Sequence, residues 1–149
     1  MTELVTTDLV DLDLAPTDRR AVVRSLSERL NAAGRVTDLE QFVADVEARE
    51  AKMATGLPGG IGIPHCRSEA VTVPTVAVGR SAGGVDFGAD DGPARLIFLI
   101  AAPEGGDTDH MTVLASLARL LMRAEFTETL RNATDPAVVA EYVRTEVTP

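Results

Sequence analysis

The sequence predicts an α/β fold in which helices flank a central mixed β-sheet. Several segments carry apolar residues at helical spacing, and short apolar runs with strand patterning lie between them. One of these runs, residues 96–100, is continuously apolar, as expected for a strand that is buried on both faces. Helices that alternate with strands imply a sheet covered by helices. The chain has 149 residues, so we predict one domain over residues 1–149.

The helices are predicted from apolar stripes and from residues that favour helix ends. Thr17 is placed to cap the first helix, and residues 37–40 have the capping-box form that starts a second. Asp135 followed by Pro136 opens the last helix. The five predicted helices cover residues 18–33, 37–50, 107–123, 125–132 and 136–143.

Three strands are predicted. In the first, Ile61, Ile63 and His65 alternate, so a short strand would point all three the same way and place His65 at its end. Residues 73–81 and 96–100 predict the other two, and the glycine-rich residues 83–84 and 88–93 predict turns. Residues 1–14 fit either an opening strand or an irregular arm.

Composition excludes several classes of function. The net charge of −9 argues against nucleic acid as a partner, because its phosphates need a basic surface. A single cysteine rules out an intrachain disulfide and fits a reducing compartment. The N-terminus has no signal-peptide layout, and the longest strongly apolar run is far shorter than the ~20 residues of a membrane span. We therefore expect a soluble, cytoplasmic protein with a mainly aliphatic core.

The most informative segment is GLPGGIGIPH at residues 56–65, which ends on His65. Its glycines let the backbone approach a ligand closely, and their amides could hold an anion. Imidazole is a nucleophile near neutral pH, so this combination is a plausible start for phosphoryl transfer. A histidine satisfied within the core is the competing interpretation, and the segment alone does not decide between them.

Two further residues suit a phosphoryl group. His110 heads the apolar stripe of the third predicted helix, where unpaired helix amides favour an anion, although taken alone it is better explained as a half-buried histidine that completes the core. Arg49 lies in the last turn of the second predicted helix, and its planar guanidinium matches phosphate oxygens. A favourable contact with the helix dipole would also explain Arg49. A zinc site built from His65, Cys66 and His110 is a minor possibility.

Arg49, Glu50 and residues 55–65 together resemble the active-site signature of enzyme IIA of the fructose–mannitol class. These enzymes are components of the bacterial phosphoenolpyruvate-dependent sugar phosphotransferase system. The resemblance spans nearly the whole chain, about residues 4–142, and continues through residues 79–81, 85–89, 96–103, His110 and 114–121. Members of this family often have alanine where this chain has Gly62.

The resemblance implies a role for each site residue. His65 would be the phosphorylated nucleophile, His110 would hydrogen-bond the phosphoryl group, and Arg49 would neutralise it. The donor would be the phosphohistidine of HPr or of an HPr-like domain, and the acceptor the cysteine of a fructose-type enzyme IIB, which serves the membrane component IIC. No cofactor is implied. Two alternatives remain: a regulatory nitrogen-type enzyme IIA, and a metal-dependent enzyme that uses His65, Cys66 and His110.

Overall fold

The computed structural model describes residues 4–104 and 109–147, although the side chains of residues 109–111 and 114 are outside the description. Within this part of the chain, five helices surround a six-stranded sheet. The helices are α1 (Arg19–Ala32), α2 (Leu39–Lys52), α3 (Asp109–Leu121), α4 (Ala124–Asn132) and α5 (Pro136–Glu146). The strands are β1 (Val10–Asp11), β2 (Gly56–Leu57), β3 (Ile61–Gly62), β4 (His65–Ser68), β5 (Thr75–Val85) and β6 (Ala94–Pro103).

The sheet is mixed, and β6 is its central strand. β6 pairs antiparallel with β5 on one side and parallel with both β3 and β4 on the other. β1 extends the sheet beyond β5 in parallel, and β2 forms an antiparallel hairpin with β3 at the opposite edge. The predicted α/β architecture with a helix-flanked mixed sheet is therefore confirmed.

Both faces of β6 are covered, which explains its unbroken apolar sequence. The five residues 96–100 are each at most 3% exposed. On one face Phe98 stacks on Phe126 of α4, with ring centroids 6.4 Å apart, and Phe126 stacks in turn on Tyr142 of α5. On the other face α1 packs against β5, where Leu26 lies close to Gly79. None of the described helices has the length and apolar character needed to cross a membrane.

Several predicted boundaries move by a few residues for physical reasons. The caps of α1 and α2 are Asp18 and Asp38, each accepting a hydrogen bond from an amide three residues ahead, and not Thr17 and Thr37. Thr37 instead donates to the carbonyl of Ala70. Asp135 caps α5 with Pro136 as its first residue, as predicted. α2 continues to Lys52 and α3 ends at Leu121, while the predicted start of α3 at residues 107–108 lies outside the described residues.

One other sequence prediction was wrong, and one open question is answered. Residues 83–84 do not form a turn between strands but lie inside β5, where the pairing with β6 shifts register between Arg80 and Val85. For the opening segment, which the sequence left open between a strand and an irregular arm, the described residues 4–14 contain a 3-10 turn at Thr7–Leu9 that leads directly into β1.

Gly62 is required by a close approach of Phe87. A Cβ atom at Gly62 would meet the Phe87 ring at 2.8 Å, and both residues are buried. Ordinary Cβ contacts lie at 3.4 Å or more, so a methyl group here would have to push the ring aside. The packing of Phe87 thus accounts for glycine at this position.

We expect Gly62→Ala to lower the free energy of unfolding by about 1–3 kcal/mol, the usual cost of overpacking a core. Urea denaturation measures this change. Gly83→Ala is the matched control, since a Cβ at Gly83 has nothing within 4 Å, and its effect should stay within about 0.5 kcal/mol. A Gly62→Ala protein as stable as the parent would contradict this account of the packing.

Candidate active site

His65 is the first residue of β4 and not the last residue of a longer strand. β3 ends at Gly62, and the chain leaves regular strand geometry at Ile63 and Pro64 before β4 begins. Pro64 has no amide proton to donate, yet its carbonyl still accepts the amide of Ile100 at 3.0 Å. The parallel register with β6 is the same on both sides of the interruption, because Ile61 pairs with Leu96 and His65 pairs with Ile100. The interruption therefore changes the local backbone without displacing β4.

The imidazole of His65 is held by one hydrogen bond. Its Nδ1 lies 2.8 Å from the carbonyl oxygen of Ile63, and the residue is half-buried. A carbonyl oxygen can only accept, so Nδ1 carries the proton in this contact. In the neutral ring the lone pair is then on Nε2. The structure thus presents Nε2 as the nucleophilic nitrogen.

The glycine turn does not form the anion cradle that the sequence suggested. Gly59 and Gly60 have φ values of 94° and 78° and close the hairpin between β2 and β3. The amide of Gly59 donates to Asp91, and the amide of Gly56 donates to the carbonyl of Phe87. The turn lies beside the start of β6, four residues before the level of His65, or about 13 Å away. The glycines therefore serve the scaffold and do not contact a group on His65.

Arg49 lies beside β4 because α2 runs antiparallel to it. Near the middle of α2, Asp45 accepts a hydrogen bond of 2.6 Å from Ser68 at the end of β4. Arg49 is one helical turn further along, about 6 Å, which brings it level with the first residues of β4. It is half-buried, and no side chain or carbonyl within residues 4–104 and 109–147 pairs with its guanidinium. A cation on α2 that has no partner among the described residues and faces this level of β4 is suited to an incoming anion.

The third predicted site residue, His110, is the second residue of α3. Its side chain is outside the described part of the structure, so its proposed contact with the phosphoryl group stays a prediction. The structure brings Arg49 and His65 to neighbouring elements and leaves the position of the His110 ring open.

Cys66 is a buried thiol within β4. Burial raises its pKa to about 12, and the carboxylate of Asp45 adds to the rise. At neutral pH the sulfur is therefore protonated, whereas a metal ligand or nucleophile would have to be a thiolate. Within the described residues, no three or more His, Cys, Asp or Glu side chains are arranged to hold a metal ion.

Sequence reasoning gave no role to Glu50, whose carboxylate is a buried part of the site. Glu50 is 6% exposed and accepts two hydrogen bonds of 2.8 Å, one from the amide and one from the hydroxyl of Thr55. A signal was present, because Glu50 continues the buried stripe of Phe42 and Val46 at helical spacing. A carboxylate on an apolar stripe requires partners, and the sequence does not show that Thr55 supplies them.

Comparison with known proteins identifies the family of the chain. Residues 3–145 match the family model of the phosphoenolpyruvate-dependent sugar phosphotransferase system, EIIA 2. One relative, the fructose-specific EIIA component of the phosphotransferase system of Haloferax volcanii, is 38% identical over 137 residues, which cover 91% of this chain and 89% of that protein.

Two solved structures share the fold over most of their length. The nitrogen regulatory protein IIA-Ntr of Neisseria meningitidis is 28% identical, with a TM-score of 0.83 and coverage of 97% of both chains. The mannitol enzyme IIA of Escherichia coli, solved in complex with phosphorylated mannitol enzyme IIB, is 26% identical, with a TM-score of 0.73 and coverage of 91% of this chain and 94% of that one. The chain belongs to the EIIA 2 family of the phosphoenolpyruvate-dependent sugar phosphotransferase system.

Proposed function

We propose that this protein is a phosphocarrier that receives a phosphoryl group on Nε2 of His65 and passes it on. The observation that carries the proposal is the hydrogen bond from Nδ1 of His65 to the Ile63 carbonyl, which leaves Nε2 with its lone pair. Membership of the EIIA 2 family supports it, since that family belongs to a phosphotransferase system. Because the protein hands its phosphoryl group to another protein, it acts as a carrier component and not as a stand-alone enzyme.

The proposed reaction is two in-line transfers. First, Nε2 attacks the phosphorus of phosphohistidine on HPr or an HPr-like domain, forming a new N–P bond as the donor's N–P bond breaks. A cysteine thiolate of a fructose-type enzyme IIB then attacks the same phosphorus, and the bond to His65 breaks. The enzyme IIB phosphorylates sugar at the membrane component IIC, which would place this carrier in the cytoplasm. Such transfers need positioning and charge stabilisation more than covalent machinery, so no metal or cofactor is required.

Arg49 and His110 are the proposed partners of the phosphoryl group. Arg49 carries a positive charge, lies on α2 next to β4, and has no partner among the described residues, which supports this role. His110 lies in the first turn of α3, where helix amides and the helix dipole favour an anion. The half-buried His65 remains open on one side, which suits two large protein partners that dock in turn.

A regulatory role is the second candidate, favoured by the structural similarity to nitrogen regulatory protein IIA-Ntr. A regulator would accept phosphate on the same histidine but would signal by binding other proteins. Incubating the phosphorylated protein with a fructose-type enzyme IIB distinguishes the two roles. Transfer to the enzyme IIB cysteine supports the sugar carrier, and a stable phosphoprotein that does not transfer supports the regulator.

We expect phosphoenolpyruvate, enzyme I and HPr to label His65, giving a phosphoramidate that is acid-labile and stable to base. His65→Ala should fold and accept no phosphoryl group, since Nε2 is gone. Mass-spectrometric mapping of the labelled residue measures this, and His110→Ala serves as the control that should still be labelled at His65. Undiminished labelling of His65→Ala would overturn the assignment.

We expect Arg49→Lys to slow phosphoryl transfer by tenfold or more, because lysine keeps the charge but lacks the two-pronged geometry that matches phosphate oxygens. Loss of a helix-dipole contact alone is worth only ~0.3–1 kcal/mol. Lys52→Gln is the matched control, since Lys52 shares the last turn of α2, and its rates should stay near those of the parent protein. Rapid-quench measurement of transfer into and out of His65 gives both rates. If Arg49→Lys and Arg49→Ala match the parent protein, Arg49 has only a structural role.

A further inference from the structure

We propose that Glu50 is a positioning residue that selects the reactive tautomer of His65. It does so by accepting the hydrogen bond from the Thr55 amide that would otherwise complete the β2–β3 hairpin. The proposal rests on the phosphocarrier function argued above. Glu50 is on α2 and does not touch His65, so it acts through Thr55 and Ile63.

The pairing pattern of the hairpin shows which hydrogen bond is missing. Gly56 pairs with Gly62 and Leu57 with Ile61, so the next pair in this antiparallel ladder is Thr55 with Ile63. Residues in such a hydrogen-bonded pair exchange two bonds, each amide donating to the other's carbonyl. The amide of Ile63 does donate to the Thr55 carbonyl, at 3.2 Å. The reciprocal bond, from the Thr55 amide to the Ile63 carbonyl, is replaced.

Glu50 is the replacement partner. Its Oε2 accepts the Thr55 amide at 2.8 Å, and its Oε1 accepts the Thr55 hydroxyl at 2.8 Å. The Ile63 carbonyl is consequently left without its ladder donor, and Nδ1 of His65 occupies it at 2.8 Å. One buried carboxylate therefore keeps the Thr55 amide off the Ile63 carbonyl, so the imidazole does not share this acceptor with the hairpin.

Burying a carboxylate at position 50 costs stability, so a role in the site would explain why glutamate is present there. It is buried in the last turn of α2, where the partial negative charge of the helix end disfavours a carboxylate. Its two hydrogen bonds to Thr55 offset that cost. An apolar residue would continue the buried stripe of Phe42 and Val46 at lower cost.

The test uses Glu50→Met, which fills similar space but accepts no hydrogen bond from an amide. The freed Thr55 amide should then bond to the Ile63 carbonyl and compete with Nδ1 of His65 for that acceptor. Nitrogen-15 NMR of the neutral histidine side chain reports the tautomer directly. We expect the ratio of the Nδ1–H to the Nε2–H form of His65 to fall about tenfold, the change that corresponds to one buried hydrogen bond. Acceptance of phosphate from phospho-HPr should slow in proportion to the fraction of the Nδ1–H form that is lost, which is less than the change in the ratio.

Two controls separate positioning from general destabilisation. Glu50→Gln keeps an oxygen that can accept the Thr55 amide, so its tautomer ratio and its rate should return close to those of the parent protein. Glu47→Gln, one turn earlier on α2, removes the charge that pairs with Arg19 and Arg20, and should leave the His65 tautomer unchanged. If Glu50→Met does not fold, Thr55→Val and Thr55→Ser replace it. Valine removes the hydroxyl that holds the carboxylate and should shift the tautomer in the same direction, whereas serine should not.

The tautomer is measured on the unphosphorylated protein without partners, so this test does not depend on phosphoryl transfer. A parent protein that HPr cannot phosphorylate would defeat the proposed function while leaving the tautomer result to be judged separately. A Glu50→Met protein that folds and keeps the parental tautomer ratio would overturn the role of Glu50. If Glu50→Met does not fold, a folded Thr55→Val protein with the parental ratio would overturn it instead.

Discussion

The site depends on the pairing of β6 with two short strands in a single register. β3 and β4 lie end to end along the same side of β6, and the two residues between them leave strand geometry without shifting that register. Pro64 makes the interruption possible, since it has no amide to lose from the ladder, and its carbonyl still bonds to β6. The imidazole of His65 is therefore carried by a strand that is paired along its length with the buried β6, while the backbone next to it is free to make a different hydrogen bond.

The end of α2 supplies two charges of opposite sign, and the structure keeps their tasks separate. The carboxylate of Glu50 accepts two hydrogen bonds from Thr55 and forms no ion pair with the adjacent Arg49. This matters in a chain with a net charge of −9, because the surrounding field opposes an incoming phosphoryl group. A half-buried guanidinium that retains its charge offsets that field locally, where an ion pair with Glu50 would have cancelled it.

The sequence predicts the elements well where one local pattern dominates, and poorly where distant residues decide. The apolar run in β6 and the stripes of the helices identify the sheet and its covering layers. By contrast, Asp18 and Asp38 cap helices in place of the adjacent threonines, and Thr37 is drawn to a carbonyl more than thirty residues away. The prediction that the glycine amides hold an anion failed for the same reason. Two of these amides donate to Asp91 and to the carbonyl of Phe87, which are distant in sequence. His65 and Arg49 stand out in the sequence by residue type, but the hydrogen bond that sets the tautomer of His65 does not.

The hydrogen bond from Nδ1 of His65 to Ile63 serves both halves of the proposed transfer. During acceptance it leaves the lone pair on Nε2, which is the atom that attacks phosphorus. During onward transfer Nε2 becomes the leaving atom, and a proton kept on Nδ1 lets the ring depart as neutral imidazole and not as an anion. The same contact therefore favours formation and cleavage of the N–P bond, as a carrier requires, since tight binding of the phosphorylated state alone would slow the second step. A carbonyl suits this purpose better than a carboxylate would, because it orients the proton without adding a negative charge beside the phosphoryl group.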